Sequence, residues 1–203
     1  MTPVSTVTLA LTGASGMPYA FRLLESLLAA NVSVNLLVSQ AAQIVAQQEM
    51  SLALPSSSKE LQVQMRERHS RLPGTLTVYG REEWFAPIAS GSNVADAMVV
   101  CPCTMGTLAA IATGMSDNLI ERAADVTLKE QRKLILVPRE TPFSALHLEN
   151  MLKLARLGAL ILPANPGFYH HPASVQDLVD FVVARILDHL GISHQLMPPW
   201  GSH

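Results

Sequence analysis

Hydrophobic positions along the chain follow two alternating rhythms. Short runs rich in β-branched residues or leucine predict strands at residues 7–11, 32–38, 76–79, 97–100, 134–137 and 159–162. Between them apolar residues recur at the three-to-four spacing of one-sided helices, predicting helices over 18–30, 40–49, 104–112, 119–129 and 143–157. A last helix is expected over 175–190, where Ser174 and Asp177 stand at capping-box spacing. Residues 51–74 break the pattern. Pro55, the run Ser56-Ser57-Ser58 and the charged stretch 65–71 read as an excursion carrying one helix. Strand–helix alternation over 1–203 predicts a single α/β domain, a doubly wound parallel sheet covered on both faces, with 191–203 as a C-terminal tail. In such sheets ligands sit beyond the carboxyl ends of the strands.

Composition narrows the class. Of 203 residues, 49% are apolar and only 15% charged, against about a quarter charged in an ordinary soluble domain. Such a chain is expected to hide surface in subunit contacts, as a homo-oligomer; an alanine- and leucine-rich monomer is the plainer alternative. The 14 basic and 16 acidic residues nearly cancel, and no basic stripe marks a nucleic-acid face. The apolar run at residues 4–11 has no basic residue before it and is too short for a bilayer, so neither secretion nor a membrane is expected and the cytoplasm is the simplest compartment. Cys101 and Cys103 stand too close for an ordinary disulfide and lack a second pair for zinc, so they read as buried structural thiols, with no metal.

Candidate chemistry gathers at the strand ends. Thr12-Gly13-Ala14-Ser15-Gly16 follows the first strand; its glycines, helix-start amides and Ser15 hydroxyl suit a phosphate. A dinucleotide site would place an acid after the second strand, but Ser39 and Gln40 stand there, favouring a mononucleotide over NAD. Cys103-Thr104-Met105-Gly106-Thr107 opens another hydroxyl-rich helix at the same edge. Glu49 falls on an otherwise apolar helix face, where desolvation would raise its proton affinity for general acid–base work; a frayed helix end in water is the alternative. Arg185 shares a face with Leu178, Phe181 and Val182; an arginine can snorkel to water from such a place, whereas a buried one would demand an anion, phosphate first. Asp125 and Lys129 are spaced for a surface pair beside Arg122. Arg139 and Glu140 follow the fifth strand, with Pro142 expected to lead the next helix. Trp84 and the Phe168-Tyr169 pair lie in loops, able to face a flat ring or a cation or simply to pack. His170 and His171 read as part of a polar loop. Together these residues suit a phosphate-bearing flat ligand and a second anion, without naming a reaction.

The same segments, with Ala89-Ser90-Gly91-Ser92, Cys101-Pro102-Cys103, the run Asn118 through Val126, Val137-Pro138-Arg139-Glu140-Thr141-Pro142-Phe143-Ser144 and Pro163 through Tyr169, resemble the UbiX-type flavin prenyltransferases over nearly the whole chain. The resemblance implies a flavodoxin-like (Rossmann-like) three-layer sandwich in dodecamers with sites at subunit junctions. It implies reduced FMN as co-substrate, held by Gly13, Ala14, Ser15, Ser39, Thr104, Met105, Gly106, Thr107, Arg122 and Arg139. Dimethylallyl monophosphate would lie near Lys129, Arg139, Tyr169, Arg185, Ser90 and Gly91. The implied reaction joins the prenyl C1 to flavin N5 and closes a ring at C6 without a metal. Glu49, Lys129, Glu140, Trp84 and Ser15 would carry the chemistry. The product would serve a UbiD-type decarboxylase, as in ubiquinone biosynthesis.

Two other functions compete. A flavin-dependent cysteine decarboxylase would carry a catalytic histidine in the region of residues 82–92, where this chain has none. A non-catalytic FMN carrier would have no use for the cations Lys129, Arg139 and Arg185.

Overall fold

The computed structural model describes residues 4–198 and Gly201, so part of the expected C-terminal tail (199–200 and 202–203) lies outside the described residues. The apolar runs form β1 (Thr6–Leu11), β2 (Ser33–Val38), β3 (Leu76–Tyr79), β4 (Ala97–Cys103), β5 (Lys133–Pro138) and β6 (Leu160–Ile161). They pair in parallel in the order β3-β2-β1-β4-β5-β6. A parallel sheet covered on both faces needs no polar side, and β4 is buried at all of its positions. This strand runs past the expected 97–100 to Cys103, its pairing with β5 resuming at Cys103–Pro138 after an irregularity that spans Pro102. Proline offers no N–H to a ladder, so an irregularity there is the natural cost of keeping the strand extended.

Among the described residues seven α-helices accompany the strands: α1 (Met17–Ala29), α2 (Gln40–Met50), α3 (Ser58–Arg68), α4 (Met105–Thr113), α5 (Leu119–Lys129), α6 (Ala145–Arg156) and α7 (Val175–Leu190). The helix expected within 51–74 is α3. The helix expected from residue 143 starts instead at Ala145, because the Ser144 hydroxyl accepts from the His147 N–H while the Ser144 N–H donates to His147 Nδ1, each at 3.3 Å. Pro142 therefore lies in the preceding turn and leads no helix.

Two cores sandwich the sheet. On one face Leu9, Leu36, Val99 and Ile135 pack with Leu24 and Leu27 of α1 and Val183 and Ile186 of α7. On the other, Leu37, Val100 and Leu136 pack with Leu108, Ala123 and Leu154 of α4, α5 and α6. The chain winds outward from β1 through β2 to β3, then from β4 through β5 to β6, so its crossover helices fall on opposite faces. This is the expected doubly wound three-layer sandwich. Its winding reverses between β1 and β4, and in such sheets ligands sit beyond the carboxyl ends of the strands at that reversal. Among the described residues no helix is long and apolar enough to cross a membrane.

Candidate active site

The β1 and β4 ends are tied together by Thr12. This buried residue donates its hydroxyl to Pro102 O and accepts from the Thr104 N–H, both at 2.8 Å. Sequence reasoning gave it no role of its own; its only signal was a hydroxyl closing an apolar strand. Gly13 follows, and a Cβ there would stand 2.3 Å from Ala41 Cβ, so glycine lets the start of α2 close against the β1 loop. Ser39 caps α2, accepting from Ala42 N–H at 3.1 Å, and Thr104 caps α4, accepting from Thr107 N–H at 3.1 Å. Beside that cap Gly106 opens to space, a Cβ there meeting only Thr104 Oγ1 at 4.0 Å. The structure thus brings Gly13, Ala14, Ser15, Ser39, Thr104, Met105, Gly106 and Thr107 to one sheet edge. Hydroxyls and two helix starts, each with amides its own helix does not use, suit a phosphate there.

Glu49, in the last turn of α2, faces the same edge differently from its expected role. Its carboxylate accepts from Gly16 N–H at 2.9 Å and Met17 N–H at 2.8 Å, so the start of α1, expected to be free for phosphate, is taken by a side chain. Burial pushes its pKa up. Hydrogen bonds from the Ser15 hydroxyl and the Gly16 and Met17 amides, with the charge of Arg139, outweigh that and hold it below the ordinary carboxylate value. The expected rise in proton affinity is therefore corrected. Glu49 is an exposed carboxylate stabilised by a helix start. Arg139 and Glu140 leave β5 at this edge, Glu140 accepting from Thr141 N–H at 3.2 Å.

The other candidates stand elsewhere. On α5, Arg122 donates to Ala89 O at 3.0 Å and to Asp125 at 2.8 Å, while Lys129 pairs with Glu130 at 2.7 Å. The expected Asp125–Lys129 pair is thus replaced by two others. Ser90 and Ser92 share a hydroxyl contact of 3.1 Å, and a Cβ on Gly91 would meet Lys129 Nζ at 3.1 Å. Lys129 precedes the first residue of β5, whereas Arg139 follows its last. A six-residue strand holds those two ends about 20 Å apart.

A third group surrounds α7. A cavity of about 710 Å³ is lined by Tyr169, His170, Phe181, Arg185, Asp188 and His194, among others. Tyr169 meets Phe181 edge-on with ring centres 5.8 Å apart, and His170 stacks on the same ring at 5.3 Å, so the loop expected to be merely polar packs on an aromatic. Arg185 is not buried: its side chain is 53% exposed and pairs with Asp188 at 2.6 Å, outside the apolar stripe of Val179, Val182, Val183 and Ile186. Trp84, on the loop after β3, is 44% exposed. Both cysteine thiols are buried and pushed up by burial, Cys103 to about 12. Among the described residues no cluster of three or more His, Cys, Asp or Glu side chains could hold a metal.

Known proteins resemble this chain over nearly its whole length. The flavoprotein family model matches residues 1–187. The flavin prenyltransferase UbiX of Pseudomonas aeruginosa is 57% identical over 195 residues, covering 96% of this chain and 93% of that protein. Among solved structures, AnUbiX in complex with FMN and dimethylallyl pyrophosphate superposes with a TM-score of 0.87 at 38% identity, over 98% of this chain and 99% of that one. A dodecameric FMN-dependent UbiX-like decarboxylase from Escherichia coli O157:H7 gives 0.85 at 39% identity, over 97% and 100%. By sequence and by fold, the chain belongs to the UbiX family of flavin prenyltransferases.

Proposed function

We propose that the protein transfers a dimethylallyl group from dimethylallyl monophosphate to N5 and C6 of reduced FMN. The observation that carries this reading is the switch point beyond the carboxyl ends of β1 and β4, with two capped helix starts, hydroxyls and an anchored carboxylate around it. Its donor set fits a phosphate-bearing flat ligand. Reduced FMN, when bound, supplies the nucleophilic ring atoms. Ser39, Thr104, Thr107 and the Gly13–Ser15 loop hold and orient it, with Arg122 and Arg139 completing its surroundings. Lys129, Arg139, Tyr169 and Arg185, with Ser90 and Gly91, grip the departing phosphate, whose growing charge their cations and hydroxyls stabilise. Trp84 offers a π-face to the allylic cation. Glu49, kept ionised by the start of α1, accepts the proton released on ring closure, with Ser15 beside it and Glu140 following Arg139 at the same edge.

One copy of the chain holds these groups in three separate places, so the working site is assembled between copies. The outer side of α6 exposes Leu146, Leu148 and Leu152, and Leu157 follows, an apolar surface suited to such contacts. A homododecamer is proposed, as in the relative from Escherichia coli. Residues 1–203 are taken as a single domain around one sheet, acting in the cytoplasm, with the product passed to a UbiD-type decarboxylase of ubiquinone biosynthesis or aromatic acid breakdown.

The test is anaerobic incubation with reduced FMN and dimethylallyl monophosphate, followed by mass spectrometry of the extracted flavin. A flavin heavier by one prenyl unit is expected. Unmodified FMN with both the monophosphate and the diphosphate would overturn the reading in favour of a carrier or a decarboxylase.

A further inference from the structure

The cavity beside α7 contains a contact chain that reaches from Arg185 into the C-terminal segment. Arg185 Nη1 donates to Asp188 Oδ2 at 2.6 Å, and His194 Nε2 lies 3.0 Å from the other oxygen, Oδ1. On the far side of the imidazole, the Leu196 N–H donates to His194 Nδ1 at 3.4 Å. A ring that accepts at Nδ1 carries its proton at Nε2, so a neutral His194 donates to Asp188. The return of the chain is built in: Gly191, in the left-handed conformation at φ 70°, ends α7 and turns residues 192–198 back along it. His194 is thereby 13% exposed, although Arg185 and Asp188 are about half exposed.

We propose that Asp188 and His194 are positioning residues that hold the Arg185 guanidinium toward the donor's phosphate; this rests on the reading that Arg185 binds that phosphate. An exposed arginine samples many rotamers, and ordering it on binding costs entropy. Asp188 engages one arm of the guanidinium, whose fork has further N–H donors for an anion. Asp188 is itself fixed from its other oxygen by His194, and His194 by the backbone at Leu196. Substrate then meets an arginine already placed, and binding of the allylic phosphate improves.

The experiment is steady-state kinetics of the full-length assembled enzyme under anaerobic conditions, on Arg185→Ala, Asp188→Asn, His194→Ala and His194→Gln. Assembly size and melting temperature are checked for each. Arg185→Ala is expected to raise KM for dimethylallyl monophosphate and to lower kcat, because it removes a cation from the departing phosphate. Asp188→Asn is expected to raise that KM by about tenfold, as suits one charge-assisted hydrogen bond, with kcat near wild type, and KM for reduced FMN should stay near wild type in both. His194→Ala should shift KM the same way by less, and His194→Gln, which keeps an N–H donor, should restore it. An unchanged or lowered KM in Asp188→Asn beside a raised one in Arg185→Ala overturns the positioning role. An equal rise in KM for reduced FMN overturns it as well. An unchanged KM in Arg185→Ala overturns the phosphate role of Arg185 itself, and the inference with it.

Discussion

Glu49 illustrates what a residue type and a helical face can and cannot say. Its helix and its place at the ligand-binding edge are legible from spacing. Its protonation is not, because the amides that hold it, on Gly16 and Met17, are more than thirty residues away in the chain. Its folded-state pKa lies below the ordinary 4.5. As pH falls the unfolded chain therefore binds the proton first. The carboxylate's stabilisation is full above that value and fades as pH drops through the depressed folded pKa. Glu49→Gln removes this dependence, so the gap in melting temperature between wild type and variant should be constant above pH 4.5 and close in more acid buffer. The same variant should prenylate FMN far more slowly while still binding it, measured by flavin mass spectrometry and by fluorescence titration. Normal turnover would refute the proton-accepting role. Arg185 is the mirror case: helical spacing put it among apolar neighbours, but the buried stripe of α7 passes to one side of it.

At the scale of elements, hydrophobic rhythm located the strands and the helices of the sandwich other than α3, because period two and period 3.6 each demand a covered face. Boundaries shifted where local hydrogen bonding outweighed the rhythm. The start of α6 moved because Ser144 finds its reciprocal partner in His147, where a capping box usually carries Glu or Gln. Loop-to-loop joints were not legible at all. Thr12 links the β1 and β4 ends, whose partners lie ninety residues apart. Thr12→Val keeps the shape but leaves the Thr104 N–H without its acceptor, and is expected to destabilise the fold by about 1–3 kcal/mol. Urea unfolding would measure this, and weaker FMN binding should accompany it, since the α4 cap is the group displaced. A stability within error of wild type would show that the joint contributes nothing.

Across the whole molecule the candidate residues are dispersed. Ser15, Ser39, Thr104 and Arg139 gather where the strands end, Lys129 lies a strand's length away, and Arg185 sits beside α7. A chain with 15% charged residues and exposed leucines along α6 is suited to bring them together through copies of itself. Leu148→Asp with Leu152→Asp should place charges on that surface and reduce the particle mass seen by light scattering. Circular dichroism should still report a folded chain, and prenylation should fall because the half-sites no longer meet. A full-size particle with both substitutions would show that α6 is not at the interface.

The sequence by itself determined the order of strands and helices, the doubly wound class and the residues worth watching. Each of these follows from short-range periodicity, turn chemistry and motifs carried on contiguous residues. Only the tertiary structure decided which partners those residues meet: the amides that ionise Glu49, and the Pro102 carbonyl and Thr104 amide that Thr12 joins. The physical reason is that charge state and orientation depend on groups brought close by folding, and these lie far apart in the chain.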